Sequence, residues 1–400
     1  MTRTDRSNSF SHSDDAAAGF DITPEFERFD QMNDMFTRAM WDTRVKSNAT
    51  DAFFQSYRMD FAPRRGDGFR QRDFALRNAS WLISDLISNR AAKDGLREGF
   101  QGWIRNDTPI AADKADVGSP EEEATSIKDV ARLLGADLVG ITTVDERWHY
   151  THRPDTRDMS RAPNDLPDEL THVIVMGHAM DFDLVETYPS ALAGASTGRE
   201  YSHEAAIVMQ LAAYIRNLGF QAVASMNDTA LVIPYAIKAG LGEYGRNQMV
   251  LTPEFGPRVR FSKIFTDLPL ATDAPRRPGM AAYCAECTVC AEACPPKALP
   301  FGEPNLGPDS PSTIKGVRKW SADCEKCFGY WAKLATDCAI CMRVCPFNTQ
   351  GGWQDRLWRW LALKPWGRPL ARAWAKRRKR DRLKPRDWWT GASKSPRSGV

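Results

Sequence analysis

The chain has 400 residues, of which 42% are hydrophobic and 26% are charged. A chain of this size and composition can bury the cores of two domains, which excludes a disordered or fibrous protein. All nine cysteines fall between Cys284 and Cys345, and the 283 residues before them contain none. Because a disulfide-stapled secreted protein distributes its cysteines through the fold, this clustering indicates metal or redox chemistry in one compact module.

The formal net charge of +3 is unevenly distributed. Residues 353–400 contain 15 Lys and Arg against 3 Asp, so this segment is strongly basic and the rest of the chain is mildly acidic. The pattern is typical of a globular body with a basic docking segment, and it argues against a general nucleic-acid binder. No apolar run approaches the roughly 20 residues that span a bilayer. Met1–Asp21 has no apolar signal region, and Arg64-Arg65 precedes Gly-Asp-Gly instead of a hydrophobic run. We therefore expect a cytoplasmic protein without a twin-arginine export signal.

The pattern along the chain predicts four regions. Residues 1–115 form a largely helical region with a mobile start, in which a helical segment covers Pro24–Gly102 and no chemical motif appears. Residues 116–275 form an α/β (α+β) core, residues 276–352 hold the cysteines, and residues 353–400 are the basic tail. The core begins with a helix at Pro120–Gly135, which has an acidic first turn and a closing glycine.

Strands and helices alternate through the rest of the core. We predict strands at Asp137–Thr143, His172–Met176 and Phe220–Met226, and helices at Ser202–Leu218 and Leu231–Ala239. Two further strands, Met249–Thr252 and Val259–Phe265, are expected to pair around the turn Pro253–Pro257. No GxGxxG follows a strand and no P-loop occurs, which argues against a Rossmann nicotinamide site and against an NTPase.

The cysteines form two motifs. The first has the C-x2-C-x2-C-x3-C-P spacing of a bacterial [4Fe–4S] ferredoxin, in which the fourth cysteine binds the other cluster. It comprises Cys284, Cys287, Cys290 and Cys294. The second motif repeats the end of that spacing and comprises Cys338, Cys341 and Cys345, with Ala335 in place of a cysteine. Cys324 or Cys327 must supply the eighth thiolate, and the spacing leaves both open. Two zinc sites are the weaker alternative, because the complete first motif is specific.

Several segments of the core and of the cysteine module carry a family resemblance. In the core they are Tyr201-Ser202, Ser225–Asp228, Ile233–Asn247, Leu251–Arg260 and Thr266–Leu270. In the cysteine module they are Trp320, Cys327–Trp331 and Cys338–Phe347. On these residues the chain resembles the corrinoid-dependent reductive dehalogenases, and the resemblance covers about residues 120–350.

The resemblance implies a nitroreductase-like corrinoid-binding core joined to a ferredoxin-like domain with two [4Fe–4S] clusters. It implies a base-off cobalamin buried between the two, with no protein side chain on the cobalt. It also favours Cys327 as the eighth thiolate and leaves Cys324 spare. The implied ligand sets are Cys284, Cys287, Cys290 and Cys345 for one cluster, and Cys294, Cys327, Cys338 and Cys341 for the other.

The resemblance further implies a substrate site. Tyr201 matches the family's proton donor, and Asn227 and Arg260 match companion positions lining the pocket. We expect the Arg260 guanidinium to lower the pKa of the phenol, which is about 10 in a free tyrosine. The implied corrinoid contacts are Gly242, Glu243, Tyr244, Gly245, Arg246 and Asn247, where glycine lets the backbone approach a large ring. Taken singly, these residues could equally be a packing tyrosine, a turn asparagine, a surface arginine and glycine caps.

The implied activity is reductive removal of halide from an organohalide, either a halogenated aromatic or a small alkene or alkane. The chain has no fused reductase, so the resemblance implies a separate electron donor, such as a ferredoxin, a flavodoxin or a reductase. An epoxyqueuosine reductase-like enzyme acting on tRNA, with an acidic residue near Asp228, is one alternative. A non-catalytic electron-transfer protein is the other.

The basic tail allows two interpretations. It interleaves tryptophans with cations, namely Trp353, Trp358, Trp360, Trp366 and Trp374 with Arg356, Arg359, Arg368 and Arg372, ahead of the run Lys376–Arg380. A segment of this composition can lie on an anionic membrane surface, which would make the protein peripheral on the inner membrane face. Alternatively, the tryptophans pack the tail onto the body. Pro365 and Pro369 are expected to prevent a single long helix.

Overall fold

The computed structural model describes residues 12–58, 66–93, 104–155, 158–164, 166–377 and 381–392. The predictions made for residues 1–11, for Arg64-Arg65 and for residues 378–380 of the basic run lie outside these ranges. The strands are β1 Leu138–Thr143, β2 His152–Pro154, β3 Arg161–Pro163, β4 His172–Ala179, β5 Ala222–Ser225, β6 Glu243–Tyr244, β7 Val250–Leu251 and β8 Val259–Thr266.

The helices surround these strands. In the N-terminal region and the core they are α1 His12–Ala18, α2 Met35–Trp41, α3 Asn48–Gln55, α4 Gln71–Lys93, α5 Pro120–Leu133, α6 Phe182–Glu186, α7 Ala191–Asn217 and α8 Val232–Lys238. In the cysteine module and the tail they are α9 Met280–Glu286, α10 Val289–Ala293, α11 Cys324–Leu334, α12 Ile340–Arg343, α13 Trp353–Ala362, α14 Arg368–Arg377 and α15 Pro385–Thr390. Short 3-10 helices cover Gln31–Asn33, Ser56–Arg58 and Glu146–Trp148.

The centre of the core is a four-stranded antiparallel sheet in the order β1-β4-β8-β5. Strand β8 lies inside the sheet, and its register with β4 runs from His172 opposite Thr266 to Ala179 opposite Val259. Because side chains alternate along a strand, Ile264 packs into the apolar cluster beneath α5 and α7, whereas Phe265 packs into the cluster beneath α8. Helices therefore cover both faces of the sheet, which confirms the predicted α+β core.

Helix α7 is longer than the sequence pattern predicted. It begins after the N-cap Ser190, whose hydroxyl accepts a hydrogen bond from the Ala193 backbone, and it runs unbroken to Asn217. Tyr201 therefore lies inside the helix, and the predicted helix start at Ser202 was wrong. The misleading signal was glycine inside the helix. A Cβ on Gly198 would lie 2.3 Å from Trp81, so glycine here permits α4 to pack against α7.

The predicted pairing of Met249–Thr252 with Val259–Phe265 was also wrong. Strand β7 pairs with β6 in a separate two-stranded sheet, with Glu243 opposite Leu251. Strand β8 has both edges occupied, by β4 and β5, and so has no free edge for β7. The turn between them is closed instead by hydrogen bonds between the backbones of Thr252 and Gly256.

The N-terminal region is not a separate body, because it packs on both the core and the cysteine module. Helix α4 lies along α7, and Phe53 of α3 packs against Phe328 of α11 with a ring-centroid distance of 5.5 Å. After the cysteines, α13 ends at Ala362 and α14 begins at Arg368, which confirms the predicted break at the prolines. Among the described helices, none combines the length and apolarity needed to cross a membrane.

Candidate active site

The fold brings Tyr201, Asn227 and Arg260 together from three different elements. Tyr201 lies on α7, Asn227 follows β5, and Arg260 lies on β8. The Asn227 side-chain amide donates a hydrogen bond of 2.6 Å to the Tyr201 hydroxyl. The Arg260 guanidinium carbon lies 4.0 Å from the centroid of the Tyr201 ring, and the tyrosine is only 7% exposed.

The loop that carries Asn227 is fixed by its neighbours. The Asp228 carboxylate accepts hydrogen bonds from Ser225 Oγ at 2.8 Å and from the Met226 backbone at 3.1 Å. Lys263 Nζ donates to the backbone carbonyls of Met226 at 2.6 Å and of Asp228 at 2.9 Å. The fully buried Asp228 thus builds the loop, while Asn227 is the residue whose side chain reaches Tyr201.

Trp81 forms a wall of the same site. Its indole stacks on the Tyr201 ring with a centroid distance of 4.5 Å and an interplanar angle of 26°. Its buried Nε1 has no hydrogen-bond partner among the described residues. Sequence analysis missed Trp81, because it lies in the N-terminal region and no motif connects it to Tyr201.

Burial controls the protonation of Tyr201. It raises the pKa of the phenol, and the lowering effects of the Arg260 charge and of the Asn227 hydrogen bond do not overcome it. The expected effect of the guanidinium is therefore present, but the predicted net lowering was wrong, because loss of hydration disfavours a phenolate more strongly. The phenol keeps its proton at neutral pH.

Two further buried titratable groups lie close to Tyr201. Glu204 is fully buried one turn further along α7, and neither carboxyl oxygen has a hydrogen-bond partner among the described residues. Burial raises the pKa of Glu204 to about 8, against the lowering effect of the Arg260 charge. Burial also lowers the pKa of His178, which lies opposite Arg260 in the sheet, to about 3. Both groups are neutral at pH 7, so Glu204 does not cancel the charge of Arg260 and His178 does not add to it. The Arg260 Nε is buried and has no hydrogen-bond partner in the part of the chain that the structure describes.

None of the nine cysteines forms a disulfide, and eight of them pack in two adjoining apolar clusters. One cluster contains Cys284, Cys287 and Cys345, and the other contains Cys290, Cys294, Cys327, Cys338 and Cys341. Cys290 also lies near the first group. Burial, together with the charges of Cys345 and Cys287, raises the pKa of Cys290 to about 12. Eight buried or half-buried thiols without disulfides are a donor set that fits two thiolate-bound iron–sulfur clusters.

The two candidate cysteines on α11, Cys324 and Cys327, have different neighbours. After burial, the strongest influence on the pKa of Cys327 is the charge of Cys338, whereas for Cys324 it is the charge of Lys319. Ala335, which replaces a motif cysteine, has φ of 53° and caps α11. Its carbonyl accepts hydrogen bonds from Arg77 at 2.9 Å and from Ser56 at 3.0 Å. That position therefore docks the N-terminal region, and these neighbours favour Cys327 as the eighth ligand.

The predicted corrinoid segment, residues 242–247, has a second role at the cysteine module. The buried Glu243 carboxylate accepts hydrogen bonds from the backbones of Gly279 and Met280, at the start of α9. Tyr244 donates to the Trp320 carbonyl at 3.0 Å. A Cβ on Gly242 would lie 2.3 Å from the Leu251 carbonyl oxygen, so the hairpin itself requires this glycine.

Arg246 makes the most extensive of these contacts. Its guanidinium donates hydrogen bonds to five backbone carbonyls of the cysteine module, those of Cys284, Ala285, Cys287, Pro300 and Gly302. Asn247, the last residue of the segment, is 5% exposed. The side chains of Glu243, Tyr244 and Arg246 thus join the core to the cysteine module.

Two family models match the chain. Residues 159–270 match the reductive dehalogenase subunit, and residues 283–348 match the 4Fe-4S double cluster binding domain. A tetrachloroethene reductive dehalogenase of Desulfitobacterium hafniense is 36% identical over 312 residues, covering 68% of this chain and 57% of that protein. The corresponding protein of Sulfurospirillum multivorans is 32% identical over 280 residues, covering 63% of this chain and 56% of that protein.

A solved structure shares the fold. A catabolic reductive dehalogenase in complex with 3-bromo-4-hydroxybenzoic acid superposes with a TM-score of 0.70 and 23% identity, covering 90% of this chain and 47% of that one. The chain therefore spans about half the length of the relatives that it matches. The cysteine module is a double-cluster [4Fe–4S] domain. Together with the core match, these similarities place the chain in the reductive dehalogenase family.

Proposed function

We propose that the chain is a corrinoid- and iron–sulfur-dependent oxidoreductase that removes halide reductively from an organohalide. The observation that carries the proposal is the buried contact of Tyr201 with Asn227 at 2.6 Å and with Arg260 at 4.0 Å. Family membership supports the same activity. Each turnover breaks one carbon–halogen bond, forms one carbon–hydrogen bond, consumes two electrons and one proton, and releases halide.

The groups around Tyr201 fit a bound cofactor and substrate. Trp81 Nε1 and Arg260 Nε are buried donors without partners among the described residues, and the amide-rich edge of a corrinoid offers acceptors for such donors. When bound, a cobalamin would supply the redox-active cobalt that reductive cleavage of a carbon–halogen bond requires. We assign the clusters to the two cysteine sets, with Cys327 as the eighth ligand, and the corrinoid contacts to residues 242–247.

Tyr201 is proposed as the proton donor. Burial keeps the phenol protonated at neutral pH, so its hydroxyl holds the proton that the substrate carbon needs. Asn227 donates to the phenol oxygen and thereby directs the hydroxyl hydrogen away from itself. The same hydrogen bond strengthens when the proton leaves, because it then stabilises a phenolate.

Arg260 is proposed to stabilise negative charge in the pocket. Its guanidinium lies over the Tyr201 ring and favours the phenolate that proton transfer creates. Glu204 is neutral at pH 7 and therefore does not neutralise that positive charge. An anion, either the departing halide or a phenolate or carboxylate on the substrate, is therefore the natural partner of Arg260.

The tRNA-modifying alternative depends on Asp228. Its carboxylate is tied to Ser225 and Met226 in the loop and does not take the position that Asn227 occupies against Tyr201. Burial raises the pKa of Asp228 to about 6, which makes it a carboxylate at neutral pH and a weaker proton store than the phenol. These contacts favour dehalogenation.

Halide release tests the proposal. The protein, anaerobically loaded with iron, sulfide and cobalamin, is given a strong one-electron donor and a panel of aryl and alkyl halides. Tyr201→Phe removes only the hydroxyl, so halide release is expected to fall by about two to four orders of magnitude, the usual contribution of a positioned acid. Asp228→Asn, the matched variant, leaves the Tyr201 hydroxyl in place but weakens the loop that carries Asn227, so a smaller loss is expected. The opposite ranking would refute the assignment of Tyr201.

For partners and location, we propose a separate electron donor, such as a ferredoxin, a flavodoxin or a reductase, and a cytoplasmic site of action. The 283 residues before the cysteine module contain no cysteine that could form a disulfide, which supports a reducing compartment. We also propose that the basic tail contacts the inner membrane face peripherally. The surplus of cations in residues 353–400 supports that contact over one with nucleic acid, which would not require the tryptophans.

A further inference from the structure

The fold sorts the tail's tryptophans and arginines into an inner and an outer set. Trp358 is 3% exposed and stacks on Trp374 at a centroid distance of 5.5 Å. Arg359 donates to the Pro253 carbonyl at 2.6 Å. Arg372 pairs with Glu286 at 3.0 Å. These residues attach the tail to the body and are unavailable to a partner.

The outer set forms one apolar stripe across two helices. Trp353, Leu357 and Trp360 recur at helical spacing along α13 and are 67%, 50% and 50% exposed. Trp366 and Leu370, at the start of α14, are each 62% exposed. The rings of Trp360 and Trp366 meet at a centroid distance of 5.4 Å and join the two halves. We call these five residues the outer stripe.

All exposed charged side chains in the segment that carries the outer stripe are positive. Residues 352–377 contain a single acid, Asp355, and it is buried at 8% exposure. The exposed cations of the same segment are Arg356, Lys364, Lys376 and Arg377. Large apolar side chains bordered by cations are typical of helices that lie in an anionic membrane interface, where indoles occupy the headgroup level.

The opposite side of α13 covers the first group of cysteines. The Trp358 ring packs against Tyr283 at 5.7 Å and Phe347 at 5.2 Å, in the same apolar cluster as Cys284 and Cys345. One helix therefore separates the outer stripe from this group, a thickness of roughly 10 Å.

We propose that the outer stripe and its four cations form a docking face for a bilayer rich in anionic lipid. Docking would place the first group of cysteines, Cys284, Cys287 and Cys345, next to the membrane surface. The proposal deepens the peripheral membrane contact proposed above and is independent of the dehalogenase activity, since lipid binding requires no substrate.

Vesicle flotation tests the docking face. The cluster-loaded full chain is mixed with vesicles of phosphatidylcholine alone, or of phosphatidylcholine with phosphatidylglycerol, at low and high salt. Binding is expected with the anionic vesicles and should weaken at high salt, because screening shortens the reach of the cations. W360S/W366S is expected to reduce binding on the order of tenfold for each tryptophan removed. Leu133→Ser, which changes a residue 85% exposed on α5, is the matched control and should bind normally.

A second variant separates lipid binding from misfolding. Lys364→Glu changes only an exposed charge and should weaken binding to anionic vesicles by at least about fivefold, with the cluster absorption unchanged. Equal binding to neutral vesicles, normal binding by W360S/W366S, or no flotation of the wild type would each overturn the proposal. Loss of reduction by a soluble acidic donor in W360S/W366S, without any lipid binding, would assign the face to a protein and overturn it as well.

Discussion

Replacing Glu204 with Gln is expected to remove an alkaline decline in dehalogenase activity. The pKa of Glu204 is about 8, so its carboxyl is neutral at pH 7 and leaves the Arg260 charge to Tyr201 and to a bound anion. Above pH 8 the carboxylate forms in the same pocket and competes for the guanidinium. Halide release by the wild type should therefore fall through pH 8, while Glu204→Gln, which cannot ionise, should stay level.

The Glu204 carboxyl also affects the stability of the fold. It titrates near 4.5 when solvated and near 8 in the fold, so between these values the folded protein holds a proton that the unfolded chain has lost. The contribution of Glu204 to the free energy of unfolding is therefore highest below pH 4.5 and falls as pH rises towards 8, by up to about 1.4 kcal/mol per pH unit and about 5 kcal/mol in all. Glu204→Gln should lack this loss and be relatively more stable at pH 8.

Infrared spectroscopy measures the carboxyl directly. The difference between wild type and Glu204→Gln should show the C=O band of a protonated acid at pH 7, and this band should disappear with a midpoint near pH 8. Glu121→Gln, which changes an exposed glutamate at the start of α5, is the control and should show no such band. Absence of the band at pH 7, or parallel stability curves for wild type and Glu204→Gln, would refute the reasoning.

Two predictions concern the cysteine module. Cys327→Ser should lose one cluster and lower the iron content from about eight towards about four per chain, whereas Cys324→Ser should keep about eight. Iron analysis and electron paramagnetic resonance of the reduced protein distinguish the two variants. Equal iron losses in both variants would contradict the assignment of Cys327. Arg246→Lys replaces a fork of donors with a point charge that cannot reach five carbonyls, so we expect a destabilisation of at least about 3 kcal/mol. Thermal unfolding of the cluster-loaded protein measures this loss of stability. An unchanged unfolding midpoint would contradict the role of Arg246 in joining the core to the cysteine module.

Particular residues explain which elements of the fold could be predicted from the sequence and which could not. The helix α5 was predictable because its Ser119 cap, its acidic first turn and its apolar spacing all agree. The start of α7 was not, because Gly198 looks like an interruption until the packing of Trp81 against it is known. The partner of β7 could not be read from the turn after it, because pairing is decided by which strand edges the whole sheet leaves free.

The residues of the candidate site were likewise only partly predictable from the sequence. Motif resemblance could bring Tyr201, Asn227 and Arg260 into one hypothesis, although they come from three elements. It could not provide Trp81, whose only connection to the site is tertiary. Glu204 was within reach, because three residues along a helix place a side chain on the face of Tyr201. The net pKa of Tyr201 was not, because it depends on burial, which no spacing reports.

Helix α7 connects Tyr201 to the backbone beside Cys338. Thr197, in the second turn of α7, and Tyr188, just before the helix, both donate hydrogen bonds to the Asp337 carboxylate, at 2.8 Å and 2.5 Å, and Asp337 precedes Cys338 in the chain. Tyr201 follows Thr197 by four residues, which is about 6 Å along the helix axis. One helix therefore positions both the residue next to Cys338, which we propose as a cluster ligand, and the Tyr201 phenol, which we propose as the proton donor. We expect packing changes along α7 to disturb both proposed sites together.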